Sequence, residues 1–231
     1  MKATTRTFPP TFRQIQHAMG LLVLSGLLYL YLAFIGGDGI WVVVALVAAA
    51  LHQGTTAVIW RSEIHGQHMS MIFGRQALLV HGIQFFTFFF LRIGSTILAS
   101  VSSPHTLTEI PTLMMVLSAA TAILVGWTCF SVFKYFGLKR ALGADHFSEE
   151  YRRMDFVREA IFRYTPNAMY TFGTLIFVIP GLLLRSHIGI ASGVFHYLAV
   201  WLHYWATEAP DMILIYGHLP EHSKSPPGQQ T

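Results

Sequence analysis

The chain has 231 residues, 53% of them apolar and only 11% charged, with a mean hydropathy of +0.51. A soluble domain carries about 25% charged residues, so the composition excludes an ordinary soluble globular protein and points to one built for lipid. The net charge of +4 raises nucleic acid as a partner, which the placement of the basic residues removes below, and the single cysteine, Cys129, excludes an intrachain disulfide framework and reads as a buried apolar thiol.

Six stretches approach the ~20 apolar residues that a crossing helix needs, near 17–35, 40–60, 76–98, 111–133, 168–184 and 188–207. The first follows a proline-containing segment and is of full span length, so it is read as a span and not as a cleaved signal. The second passes from small polar residues into "WRSEIHG", where Trp60, Arg61 and Glu63 suit either an interfacial anchor or a lipid-headgroup contact. In the third, "FFTFFFLR" is expected to be lipid-facing aromatic surface. The fifth is short and contains Pro180, which predicts a kink. Residues 218–231, ending in "SKSPPGQQT", are expected to be a disordered tail to a single transmembrane helical domain over 1–217.

Six crossings put both termini on one side. Thirteen basic residues then share that side, and the other keeps only Arg92 and Arg185. By the positive-inside bias the termini and the 134–167 loop are cytoplasmic, in a bacterial inner membrane or the endoplasmic reticulum. The same asymmetry accounts for the basic charge without nucleic acid. Between Lys134 and Arg163 stand seven basic and five acidic residues. Here "DHFSEEYRRMDFVREAIFRY" places Phe147, Tyr151, Met154 and Ile161 near one helical face, with Ser148 as a helix start. This loop suits either a surface lying on anionic lipid or a roof over a site between helices.

The last two spans form a hairpin turning at "RSHIG". Tyr170 lies 17 residues before His187 and Glu208 lies 21 after it. At 1.5 Å per residue the two legs are about 25 and 31 Å, so both ends reach one interfacial depth, where a polar soluble ligand can meet a lipidic one. Pro166 biases Thr165 away from helix, making Asn167 a candidate N-cap beside free backbone N–H groups. Glu208, close to hydrocarbon, is costly there unless it is paired or used.

Taken together, "LGADHF" (Leu142–Phe147), "PNAMYTFG" (Pro166–Gly173) and "TEAPDMILIYG" (Thr207–Gly217) resemble the small integral membrane methyltransferases. The nearest type is the phosphatidylethanolamine N-methyltransferases, related to the isoprenylcysteine carboxyl methyltransferases. Gly143 and Asp145 fall on the family's Leu-Gly…Asp segment, Asn167 and Tyr170 on its Tyr-bearing helix start, and Glu208 on the first residue of its acidic pair. Ala209 replaces the second glutamate, and Ala168 replaces the proline after Asn167.

The resemblance implies S-adenosylmethionine as cofactor, held within residues 134–217 by the last hairpin and the loop before it, and a membrane lipid as partner. Expected cofactor contacts are Leu142, Gly143, Asp145, Arg163, Asn167, Tyr170 and Glu208. If the acceptor is an ethanolamine amine it must lose a proton, and His146 or Glu159 are the candidate catalytic bases, with Asp145 a third.

Other classes compete. His52, His81, His196 and His203 lie in expected spans, the last two on one helical face, and such imidazoles can ligate haem. His65 with His68, and His218 with His222, form short-spaced pairs, but no dense histidine box for di-iron occurs, and no metal site is assigned. A transporter would leave the order of the motifs unexplained, and no inverted repeat supports one. The expectation is an all-α, polytopic helix bundle of about six transmembrane helices whose terminal hairpin forms a methyltransferase site. A phospholipid ethanolamine amine is the first-choice acceptor; a prenylcysteine carboxylate or another lipophilic small molecule is the alternative.

Overall fold

A computed structural model describes residues 10–35, 39–108 and 110–217. The expected tail lies outside the described residues. Among these residues the protein is all-helical, without a strand.

Among the described residues, four helices are long and apolar enough to cross a membrane. They are α1 (Pro10–Ile35), α2 (Ile40–Gly66), α4 (Ala77–Ser102), entered through the short α3 (His68–Phe73), and α5 (Pro111–Ser131), which runs on into a π turn at Val132–Phe136. Each coincides with one of the first four expected spans. α2 and α4 form an antiparallel pair. α1 packs on the penultimate helix around Leu28, Leu32, Val42, Ala49, Ile188 and Phe195.

After α5 the chain makes three single turns, α6 (Leu138–Ala141), α7 (Ala144–Phe147) and α8 (Glu149–Arg152). Ser148 does start a helix, its hydroxyl accepting from the Glu150 N–H at 3.3 Å, but that helix stops at Arg152. The amphipathic helix expected there is therefore one turn long: Met154 is exposed, and Ile161 is buried on a separate 3₁₀ turn.

The fifth expected span is broken more thoroughly than a kink. α9 (Ala168–Thr171), a 3₁₀ stretch at Gly173–Phe177 and α10 (Ile179–Leu183) follow one another. Gly173 and Pro180 withhold the side chain and the N–H that a continuous α-helix wants. The 3₁₀ rise of about 2.0 Å per residue lengthens a segment otherwise short for a crossing.

α11 (His187–His203) returns along it, started by the Ser186 hydroxyl accepting from the Gly189 N–H at 3.1 Å. The two legs touch backbone to backbone: a Cβ on Gly181 would stand 2.3 Å from the Ile190 nitrogen, and one on Gly193 2.5 Å from the Phe177 carbonyl. Small residues allow this approach, as they do between helices in lipid.

α11 opens into a π turn at Tyr204–Glu208 before α12 (Ala209–Tyr216). Pro210 explains the widening, because it has no N–H for the carbonyl of Ala206 and its ring crowds that group. The Ala209 N–H bonds back to the Tyr204 carbonyl, five residues earlier.

Two expectations are corrected by placement. Arg92, counted with the outer side, stands midway along α4 in the interior of the bundle, 2% exposed. Cys129 is exposed on α5 and not buried, because it borders an open apolar cavity.

Candidate functional site

At the end of the bundle that carries the 134–167 segment, the turn between α6 and α7 places Gly143 in the left-handed region, φ +76°. The Trp60 ring packs where a side chain would be: a Cβ on Gly143 would stand 2.7 Å from its carbons. Only glycine meets both demands. Trp60 also stacks on His146 at 4.3 Å between ring centroids, and its Nε1 donates to His81 Nε2 at 3.2 Å.

His146 is 1% exposed, and both of its ring nitrogens are engaged. Nδ1 lies 3.0 Å from Asp145 Oδ1, and Nε2 lies 3.3 Å from Asp211 Oδ2. Burial works against the imidazolium, but the hydrogen bonds to the two aspartates and their charges outweigh it and raise the pKa to about 9. Burial also opposes the Asp145 carboxylate, yet His146 and the Tyr216 hydroxyl, which donates to Oδ2 at 3.0 Å, hold it below its ordinary value. Arg61 of α2 completes the network, its Nε 2.9 Å from Asp211 Oδ1. Arg61 and Glu63 are thus internal, not interfacial anchors: Glu63 accepts from the N–H groups of Met69 and Ser70 and from the Ser70 hydroxyl at the start of α3.

The Asp145–His146–Asp211–Arg61 network joins the α7 turn to α12 and α2. It also makes His146 a cation held between two anions, with no free nitrogen to take a proton at neutral pH.

From the other side, the π turn presents Tyr204 and Glu208. The Tyr204 hydroxyl accepts from Asn167 Nδ2 at 3.2 Å, and its ring lies 5.0 Å from that of Tyr170. Asn167 precedes α9, but its side chain makes no capping bond, and α9 has only four residues, too few for a helix-terminus anion site. Glu208 is partly buried, and its Oε2 is shut off from solvent without a hydrogen-bond partner. Lost solvation, reinforced by Asp145 and Asp211 and opposed by His146, raises its pKa to about 8.

These groups line one polar cleft with about 70 Å³ of enclosed space. Gly143, Asp145, His146, Asn167, Tyr170 and Glu208 all face it, so the two ends of the last hairpin do meet. Leu142, Arg163 and Glu159 do not. Leu142 points to the apolar side. Arg163 and Glu159 are exposed on the far side of the 153–165 loop, and the Glu159 carboxylate accepts from the Arg158 N–H at 3.0 Å. Arg140, Tyr204 and Tyr216 belong to the cleft and were not singled out from the sequence, and Trp60, read there as an interfacial anchor or headgroup contact, lines it too. Tyr204 stands four residues before Glu208, a helical spacing that could have flagged it; Trp60 comes from a distant span and carries no local signal.

Next to the cleft, inside the bundle, is an apolar cavity of about 370 Å³. Phe86, Phe89 and Phe90 of α4 and Cys129, Val132 and Phe133 of the α5 end line its outer part. The phenylalanine run is therefore not wholly lipid-facing. The cleft and the cavity share Trp60, Ala141, Met169 and Tyr170 as common walls.

The intramembrane histidines are placed by hydrogen bonding. His17 bonds Gln53 at 3.0 Å, and His52 and His196 both hold Arg92. His218 and His222 lie outside the described residues. Among the described residues, no group of three or more His, Cys, Asp or Glu side chains is arranged to hold a metal ion.

Residues 113–218 match the family model described as phospholipid methyltransferase. No curated protein and no solved structure matches the chain.

Proposed function

Because residues 113–218 match the phospholipid methyltransferase family model, we propose that this chain moves a methyl group from S-adenosylmethionine in the polar cleft to a phospholipid ethanolamine amine in the adjoining cavity. The observation that carries this reading is the shared wall: a polar cleft and an apolar cavity meet at Trp60, Ala141, Met169 and Tyr170. A charged, water-soluble donor and a lipid can each find a chamber of their own polarity and still touch.

The cleft's residues suit such a donor. When bound, it supplies an electrophilic methyl on a sulfonium for in-line displacement. Glu208, with a buried carboxylate oxygen lacking a partner, accepts from a ribose diol or faces an ammonium. Asn167, fixed by Tyr204, offers its amide to the donor's amino-acid end. The Gly143–Asp145 turn lies against the nucleoside. Tyr170, at the shared wall, aligns the acceptor with the methyl, and alignment alone supplies several kcal/mol of a displacement barrier.

Between its two carboxylates, His146 serves to position the α7 turn against α12. The acceptor's proton leaves toward the cleft carboxylates, Glu208 being the group whose pKa lies near neutrality. Cytoplasmic termini put the cleft on the side where a soluble donor is available.

The test is to incubate the purified protein with methyl-labelled S-adenosylmethionine and total membrane lipid and to separate the products. The expected result is label in the phosphatidylethanolamine-derived fraction. Label confined to a prenylated or small-molecule fraction moves the acceptor to the alternative class. Label in no fraction, with no donor bound, overturns the proposal.

A further inference from the structure

An amino-acid sulfonium brings a carboxylate with its ammonium, and the cleft has to meet that carboxylate as water leaves. Most of the cleft is wrong for an anion. Asp145 and Glu208 are carboxylic side chains themselves, and like charge opposes a further carboxylate beside them. The buried His146 has both ring nitrogens committed, to Asp145 at 3.0 Å and to Asp211 at 3.3 Å. The Asn167 amide is neutral and already donates to Tyr204. Arg163, an expected cofactor contact, is exposed on the far side of the 153–165 loop.

One cation remains. Among the described residues that line the cleft, Arg140 is the only lysine or arginine. It is half-buried, and among the described residues it has no carboxylate partner. Its one hydrogen bond there runs from Nη1 to the backbone carbonyl of Asp155, at 3.0 Å. A guanidinium carries five N–H groups, so a bond to one neutral carbonyl leaves its charge uncompensated and most of its donors open to a second acceptor.

Arg140 is also held in place. Gly137, at φ +87°, turns the chain out of the π turn at Val132–Phe136 into α6. That turn brings the Arg140 guanidinium back to 5.0 Å from the centre of the Phe136 ring. Phe136 stacks in turn on Phe162 at 5.1 Å, and Phe162 is 4% exposed in a small core with Ile161 and Ala168. Phe136 and Phe162 line the cleft with it. A planar fork fixed by an aromatic face and one hydrogen bond is preorganised for a carboxylate, which it can meet with two parallel N–H groups.

We propose that Arg140 seats the α-carboxylate of the sulfonium donor. The carboxylate takes N–H groups that the Asp155 carbonyl leaves open, and the donor's acidic end lies at α6, where the cleft has no acid of its own. This assignment rests on the reading that the cleft holds S-adenosylmethionine, and it adds the residue that selects for the donor's carboxylate.

Decarboxylated S-adenosylmethionine isolates the contact. It keeps the sulfonium and the ammonium and carries one more net positive charge, which Asp145 and Glu208 favour. Only a cation placed at the carboxylate makes the intact donor the tighter ligand. The experiment measures Kd for both compounds by calorimetry, with the purified full chain in neutral detergent and no lipid acceptor. The expected wild-type preference for S-adenosylmethionine is at least about tenfold, the scale of one charge-assisted hydrogen bond. Arg140→Met brings the ratio to within about twofold, chiefly by weakening S-adenosylmethionine. Arg140→Lys keeps part of the preference, since an ammonium retains the charge and loses the fork. Arg163→Met leaves the ratio at its wild-type value. Loss of the Asp155 bond alone would weaken both compounds alike, so the ratio separates carboxylate binding from a purely structural role.

A wild-type ratio near one overturns the proposal, as does a preference that survives in Arg140→Met. If that variant does not fold, an undiminished preference in Arg140→Lys overturns it. A preference abolished by Arg163→Met moves the carboxylate to the other side of the loop and overturns it as well. Binding of neither compound sinks the donor reading itself, whereas binding of both without a preference that depends on Arg140 sinks this assignment alone.

Discussion

Asp211 is the residue whose loss the structure makes most expensive. It is fully buried, it faces Arg61 at 2.9 Å and His146 at 3.3 Å, and those two side chains are 10% and 1% exposed. Asp211→Asn keeps the shape but leaves the buried Arg61 without its carboxylate and His146 with Asp145 alone. Breaking a buried pair by removing one partner costs about 3–5 kcal/mol. At about 2–4 °C per kcal/mol for a chain of this size, the midpoint of thermal unfolding should fall by roughly 6–20 °C.

The pH dependence follows from His146. Its folded pKa of about 9 lies above the ordinary 6.5, so its stabilisation is complete below pH 6.5 and is lost as pH rises through about 9. The wild type should therefore lose thermal stability between pH 7 and 10, and Asp211→Asn, lacking one of the two anions, should lose less over that range. The double variant Asp211→Asn/Arg61→Met should recover part of the loss, since one stranded cation has gone. A midpoint within 2 °C of wild type for Asp211→Asn, measured in detergent at pH 7, would refute the account of this network.

Donor affinity should depend on Glu208. With a pKa of about 8, the carboxylate is largely neutral below that pH, so affinity for S-adenosylmethionine should weaken about tenfold per unit below pH 8, one proton being released on binding; calorimetry in two buffers of different ionisation enthalpy reads this, and Glu208→Gln should flatten the profile. Gly143→Ala forces a methyl toward the Trp60 ring at φ +76° and should destabilise by roughly 1–3 kcal/mol, visible as a lower unfolding midpoint. Tyr204→Phe removes the hydroxyl that accepts from Asn167 and should weaken donor binding about fivefold, the scale of one hydrogen bond, with unfolding unchanged within 2 °C.

What could be read from the chain alone was what lipid and helix geometry impose. Hydrocarbon demands long apolar helices, so α1, α2, α4 and α5 were visible as composition. A fixed rise per residue brought Tyr170 and Glu208 to one depth, and both face one cleft. Local backbone chemistry at Pro180 signalled a kink in the last hairpin, though not the 3₁₀ stretch beside it, and the π turn before Pro210 was not read at all.

Pairing was another matter. Asp211 had no reading until Arg61, 150 positions earlier, came beside it; Trp60 gave no sign that it would lie on Gly143 and His146; and Arg92 counted only as an outer-side charge until α2, α4 and α11 closed around it. Depth in a bilayer is a one-dimensional property that hydropathy and rise per residue reveal. Which side chain satisfies a buried charge depends on how helices rotate and cross against each other, and only the packed bundle decides that.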